Sequence, residues 1–287
     1  VAAQRAIATN DSDPLITDPF AERLIEALGA GYFIRLARGE LSDSDTEAEN
    51  ARAMVDSIAL RTRYFDDALI DAVNAGIRQA VILASGLDTR AYRLPWTAAT
   101  TVFELDQPAV IDFKTRTLAR LGAYPPVRHR PLAVDLRTEW PAALIGADFN
   151  PAEPTVWIAE GLVIYLPPAA QDRLFDDIAE LSAPGSRIAA EDITGITADQ
   201  LARISERLRA LWTDAAETEA ADRQMPIDVA DLWYVGERVP ASDYLAAKGW
   251  TVTTVRTTEL FGRYGRPLPV GPVTPFGDPT YVTAISG

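Results

Sequence analysis

The sequence predicts an α/β fold, a parallel sheet covered by helices on both faces and roofed by a helical lid. Three observations carry this. A strand–turn–helix rhythm repeats between residues 64 and 193. The strand candidates are short apolar runs, several of them β-branched, and each ends in a turn that bears a polar or acidic residue. The chain is 48% hydrophobic and 24% charged, which supplies a large core without staples.

The elements follow in order. "YFDDALIDAVNAG" (64–76) sets Phe65, Ala68, Leu69, Ala72 and Val73 at helical spacing, with Gly76 as the stop. "AVILAS" (80–85) is the first strand and "TTVFELD" (100–106) the second. Pro108 sits where a helix starts, and "VIDFKTRTLARL" continues it. "RPLAVDLR" is a third strand segment that presents Asp135 and Leu136, with His129 just before it. "TVWIAE" (155–160) precedes a helix with Leu174, Phe175, Ile178 and Leu181 on one face, closed by Pro184-Gly185. "SRIAAEDI" (186–193) is the next strand. The end of the chain reads as a helix ("SDYLAAKGW") and two strands ("TVTTVR", "TYVTAIS") with a Gly/Pro-rich connection between them.

Two regions break the rhythm. Residues 1–60 are mainly helical and polar, and residues 197–223 form an amphipathic helix through Leu201, Ile204, Leu208, Leu211 and Ala215. With no repeat and no low-complexity linker, one domain is expected over 1–287, capped by about 1–60 and about 194–240.

Charge and composition narrow the function. The 27 Lys and Arg against 41 Asp and Glu give a formal charge of −14, which repels a polyanion, so no nucleic-acid partner is expected. No apolar run is long enough to span a bilayer, so no membrane partner is expected and a cytoplasmic protein is the default. The absence of cysteine excludes thiol nucleophiles, thiolate metal sites and disulfides. A single histidine and no carboxylate–histidine spacing leave a metal site unsupported, and no G-x-S-x-G elbow points to a hydrolase.

In open α/β sheets ligands bind beyond the carboxyl ends of the strands. There this sequence places Gly86 with Asp88, then Asp106, then Asp135-Leu136, then Glu160. Each has a plain use, Gly86 as a turn residue and the aspartates as helix caps. Glu160 stands out because it closes an apolar run, where a carboxylate needs a partner. Asp106 follows Gly86 at the spacing of about 20 residues that marks a ribose-diol acceptor. A carboxylate accepts hydroxyl protons but repels phosphate, and an acidic edge welcomes a cation. S-adenosylmethionine has a ribose, an adenine, a sulfonium and no phosphate. An NAD(P)-dependent oxidoreductase, the alternative, needs a full glycine loop that "LASGLDTR" lacks. A non-catalytic adenosine-ligand-binding protein is the other alternative.

The stretches "QRAIATNDSDPLITDPFA", "RTRYFDD", "LASGLDTRAYRL", "FELDQP", "DLRTEWPAAL", "AEGLVIYLP" and "GSRIAAED", spread in order over residues 4–192, carry a resemblance. The sequence resembles the leucine carboxyl methyltransferase-like family, in its actinobacterial, mycobacterial branch of S-adenosyl-L-methionine-dependent methyltransferases. The resemblance implies a class I methyltransferase fold: a Rossmann-like, seven-stranded, mostly parallel sheet with the last strand antiparallel. It implies that Arg61 meets the methionine carboxylate of the cofactor and that Gly86 lets the backbone approach the methionine part. Asp106 would hold the ribose hydroxyls, Asp135 and Leu136 would flank the adenine, and Glu160 would lie near the amino or sulfonium end. Arg5 is a weaker candidate for a second cation in the lid, and Arg63 is a weaker claimant than Arg61 to the methionine carboxylate, with a plain surface position as its alternative. The first turn departs from the family pattern Leu-Gly-Ala-Gly, since Ala84 stands at a glycine position.

The acceptor expected is a small molecule, methylated on a carboxylate or a hydroxyl. A carboxylate is already ionised at neutral pH, whereas a hydroxyl needs a base. No catalytic residue is assigned. His129 is expected to be structural or at the surface, Asp88 and Arg90 to form an internal ion pair, and Tyr165 to pack against the core before it touches substrate. Tyr32, Phe33, Trp212, Trp233 and Tyr234 in the lid hint at an apolar acceptor, although packing is the commoner use of such residues. Oligomeric state is left open.

Overall fold

The computed structural model describes residues 1–29, 35, 45–138, 140–193, 199–206, 232–234, 237–269, 274 and 277–287, with backbone only at 45–48 and 50. Helices α1 (Ala2–Thr9), α2 (Ala21–Leu28) and α3 (Asp45–Asn74) precede the sheet. Strand β1 (Gln79–Leu83), short helix α4 (Arg90–Arg93), β2 (Thr101–Asp106), α5 (Pro108–Arg120), β3 (Arg128–Ala133) and α6 (Trp140–Gly146) follow. Next come β4 (Thr155–Ala159), a 3-10 turn (Val163–Tyr165), α7 (Pro168–Glu180) and β5 (Arg187–Asp192). The end is α8 (Ala241–Ala247), β6 (Thr251–Arg256), α9 (Thr257–Arg263) and β7 (Thr280–Ile285).

The seven strands lie in the order β3-β2-β1-β4-β5-β7-β6. The first five are parallel, and β7 is inserted antiparallel between β5 and β6. β1 lies inside the sheet, paired with β2 on one side and β4 on the other, so the chain reverses its direction of travel across the sheet there. A crevice opens at such a switch point, beyond the strand C-termini. Every residue of β1 and β4 is buried, as continuous apolar runs require when both faces are covered. Edge strand β3 carries Arg128, His129 and Arg130, and charge on an edge discourages pairing with another chain.

The two core layers follow from the pleat. On one face Val81, Leu83, Phe103, Leu105 and Trp157 pack with Phe175 and Ile178 of α7. On the other Ala80, Ile82, Val102 and Ile158 pack with Leu60, Phe65 and Leu69 of α3 and with Tyr281. Pro108 and Pro168 begin α5 and α7, where the missing N–H costs nothing.

Three expectations need correction. The helix expected at 64–76 begins at Asp45, so residues 45–60 belong to a core helix; Val55 and Ala59 pack against Ala8 and Ile16 of the N-terminal segment. His129 lies within β3, because the strand starts earlier than the apolar pattern indicated. Helix α9 interrupts the connection between the last two strands. Of the amphipathic helix at 197–223, residues 199–206 are helical with Leu201 and Ile204 buried, while Leu208, Leu211 and Ala215 lie outside the described residues. No helix among the described residues is long and apolar enough to cross a membrane.

Phe103 is wholly enclosed against Phe149 on one core layer. Phe103→Ala is expected to cost about 3–5 kcal/mol, read as a lower urea midpoint with an unchanged m-value.

Candidate active site

The first turn is fastened to the strand beside it. Ser85 N–H donates to the Leu105 carbonyl at 3.0 Å, and Gly86 N–H donates to Asp106 Oδ2 at 2.6 Å. The other Asp106 oxygen accepts from Gln107 N–H at 2.7 Å. Asp88 N–H closes the turn on the Ser85 carbonyl at 2.7 Å. Ala84 and Gly86 are both left-handed, each with φ of 49°. Glycine adopts that region freely, whereas alanine is strained in it by about 1–2 kcal/mol. The departure from the family pattern therefore falls on a residue whose backbone suits glycine.

Around this turn lies a cavity of 280 Å³, walled in part by Arg5, Arg61, Ser85, Gly86, Asp88 and Glu160. A buried network of charges forms its floor. Glu160 accepts from Arg61 Nε at 2.8 Å and from Arg90 Nη1 at 2.6 Å, one arginine to each oxygen. Burial opposes ionisation of Glu160, but Arg90 and Arg61 override it and hold the carboxyl at about 2. Arg61 Nη1 also lies 3.3 Å from Glu191 Oε2 at the end of β5. Burial pushes the Glu191 carboxyl up, Arg61 draws it down, and neighbouring Glu160 adds to the rise.

Arg90 binds Asp66 and Asp88 as well, each at 2.6 Å, and the Thr62 carbonyl at 3.2 Å. The internal Asp88–Arg90 pair expected from sequence is thus one contact of a larger hub. Burial acts to raise the Asp88 carboxyl, and Arg90 brings it below its ordinary value. Arg93 makes two further bonds to Asp66, at 2.6 and 2.7 Å. Arg5 reaches in from α1, giving Nη2 to the Leu87 carbonyl at 2.6 Å and Nε to Asp18 at 2.8 Å.

Arg61, Gly86 and Glu160 therefore share one cavity, and Asp106 abuts it through Gly86. Asp135 and Leu136 do not line it. Asp135 is paired with Arg137 at 2.6 Å, which holds its carboxyl far below the usual range, and Leu136 packs on the core. Arg63 takes the surface position given as its alternative, paired with Asp67 at 2.8 Å and lying over the Tyr264 ring. His129 is structural, bonded to Glu104 at 2.8 Å with its ring edge-on to Tyr92.

Tyr165 is 43% exposed and so is not a core residue. Its ring stands edge-on to Trp233, with centroids 6.3 Å apart. Arg238 ties this neighbourhood to the turn after β4 by donating to the carbonyls of Val163, Leu166 and Tyr234. Tyr32, Phe33 and Trp212 lie outside the described residues.

The sequence reading did not single out Asp66, Glu191 or Lys114. Lys114 had a signal: it falls between Ile111 and Leu118 on the buried face of α5, where an apolar residue belongs. Asp66 and Glu191 gave none beyond a charge in an otherwise apolar neighbourhood.

A parallel sheet in the order 3-2-1-4-5-7-6, with strand seven antiparallel and a cavity under the first turn, is the fold of the class I methyltransferases. A solved structure of magnesium protoporphyrin IX methyltransferase from Synechocystis PCC 6803, with bound SAH, has the same fold. It superposes with a TM-score of 0.50 at 12% identity, over 91% of this chain and 97% of that one. The family model for leucine carboxyl methyltransferase matches residues 1–179. A Mycolicibacterium vanbaalenii protein, provisionally named an S-adenosyl-L-methionine-dependent methyltransferase, is 53% identical over 99% of this chain and 92% of its own length. A Mycolicibacterium smegmatis protein with the same provisional name is 51% identical over 99% of this chain and 92% of its own length. The chain belongs to the leucine carboxyl methyltransferase family.

Two outcomes follow. Glu160 has a folded value of about 2 against an ordinary 4.5. A depressed carboxyl contributes stability that is complete above the ordinary value and is lost as pH falls toward the folded one. Denaturation midpoints measured from pH 6 down to pH 2 should therefore fall steeply below about pH 5, and Glu160→Gln should flatten that limb. Gly161 has φ of 60°, and a Cβ there would stand 2.6 Å from Arg61 Nη2. Because Glu160 and Glu191 pin that guanidinium, Gly161→Ala should cost about 1–3 kcal/mol in thermal unfolding.

Proposed function

We propose that the protein transfers the methyl group of S-adenosylmethionine to an oxygen of a small molecule, a carboxylate by preference. The observation that carries this reading is Asp106. It ends β2 with one oxygen on the Gly86 amide, so the carboxylate proposed to hold the diol and the turn form a single unit beside the cavity. The charges of the wall fit the cofactor. Arg5 and Arg61 face a space suited to an amino-acid carboxylate, and the turn lacks the glycine-rich loop that a pyrophosphate needs.

When bound, S-adenosylmethionine supplies a methyl group activated on a sulfonium. Arg61 would hold its carboxylate, Asp106 its ribose hydroxyls, and the Gly86 backbone its methionine part. Asp135 and Leu136 would flank the adenine, the aspartate turning from Arg137 to do so. Glu160 would lie at the ammonium end, its charge already balanced by Arg61 and Arg90. Helix α1, which brings Arg5 to the cavity, would cap the strand edge and exclude water, which in-line displacement needs.

The preference for a carboxylate acceptor comes from the bases at hand. Glu160 is held at about 2 and Asp88 is lowered, so neither takes a proton at neutral pH. His129 is tied to Glu104 on β3. A carboxylate acceptor needs no base. A hydroxyl acceptor is the second reading; Glu191, 3.3 Å behind Arg61 of the cavity wall and with its carboxyl raised by burial, is the group that favours it.

Calorimetric titration with S-adenosylmethionine and S-adenosylhomocysteine tests the proposal. Asp106→Ala should weaken binding by about 2 kcal/mol or more, the scale of hydrogen bonds to a charged group. Equal affinity in variant and parent would remove Asp106 from the site, and no binding by the parent would overturn the cofactor reading.

A further inference from the structure

A second set of charges lies beneath the first turn. Lys114 on α5 and Glu104 on β2 are both fully enclosed, 0% exposed, with Nζ 3.0 Å from Oε2. His129 Nε2 on β3 meets the same Oε2 at 2.8 Å. Glu104 Oε1 has no hydrogen-bond partner among the described residues. Lys114 Nζ also donates to Ser85 Oγ at 3.0 Å, and Ser85 lines the cavity.

Packing does not account for this lysine. Ile111 and Leu118 on the same face of α5 are apolar, and a well-packed apolar residue in place of a buried ion pair is commonly as stable or more so. What the charge supplies is direction. An ammonium has donors only, so Ser85 Oγ accepts from it and keeps its own hydrogen to give. The rest of Ser85 is already committed, its N–H to the Leu105 carbonyl and its carbonyl to Asp88 N–H. Among the described residues, the hydroxyl hydrogen is the one polar group of the serine with no protein partner, in a residue that walls the cavity.

We propose that Lys114 is a positioning residue of the active site: anchored by Glu104, it fixes Ser85 so that the serine hydroxyl donates to an oxygen of the ligand in the cavity. The proposal rests on the cofactor reading above for the ligand's identity, because S-adenosylmethionine offers carboxylate and ribose oxygens to such a donor. The arrangement itself rests on the geometry alone.

The test separates position from stability. The paired substitution Lys114→Met with Glu104→Gln removes both buried charges and leaves no ion unpaired. It should fold with a thermal midpoint at or near that of the parent, yet bind S-adenosylhomocysteine about tenfold more weakly. Ser85→Ala should give a similar loss, and adding it to the paired variant should cause no further loss, since both act through one hydroxyl. A folded paired variant with parental affinity, or losses that simply multiply, would overturn the proposal. If the paired variant does not fold, Ser85→Ala decides by itself, with unchanged affinity counting against. If the parent binds no S-adenosylhomocysteine, the cofactor reading fails separately, and hydrogen exchange decides the positioning role. Faster exchange at the Ser85 and Asp88 amides in the paired variant upholds it, and unchanged exchange sinks it.

Discussion

Arg90 is the interaction on which the rest of the site depends. Its guanidinium is enclosed and bonded to Asp66 from α3, Asp88 from the first turn and Glu160 from the end of β4. A charge removed from water is tolerated only when it is paired and its donors are used. The three elements therefore find their native places together or leave a buried ion exposed to the cost of burial. Arg61 depends on the same hub, since Glu160 is shared between the two arginines. A cluster of this kind contributes less to net stability than its bonds suggest, because desolvation offsets most of the attraction. Its larger effect is to define one arrangement at the strand edge.

The sheet makes that edge available. With β1 flanked by β2 and β4, the turns after these strands meet at one place, and each brings polar groups to it. The turn after β1 is held open by two left-handed residues and by the hold of Asp106 on Gly86. Such strain survives because the surroundings over-determine it, and strain of this kind gathers at binding sites. The acidic character read from the sequence is thus moderated in the fold. Glu160 and Asp88 arrive with arginines already on them, and the wall that results is mixed in sign rather than uniformly negative.

Much of the fold was legible because burial on both faces leaves a plain mark. β1, β4 and β5 are apolar runs that end in polar turns, and Pro108 and Pro168 mark helix starts. The strand that escaped part of its reading is β3, whose residues Arg128 to Pro131 carry no apolar pattern because the strand lies at an edge. Helix α3 was read too short for a related reason. Its first turns are polar in sequence, and among its described side chains burial begins at Val55.

At the site, the residues that come from strand ends were readable, because topology alone delivers the end of every parallel strand to one edge. Gly86, Asp106 and Glu160 are of that kind. By itself the sequence determined the α/β architecture, the strand edge at which the cavity opens, and Gly86, Asp106 and Glu160 among the residues at that edge. Only the tertiary structure decided which charges meet. Arg90 with Asp66, Arg61 with Glu191, and Lys114 with Ser85 and Glu104 join residues far apart in the chain. Pairing of this sort has no period and no fixed spacing. It follows from which side chains are desolvated at the same point in space, and that point exists only once the layers have packed.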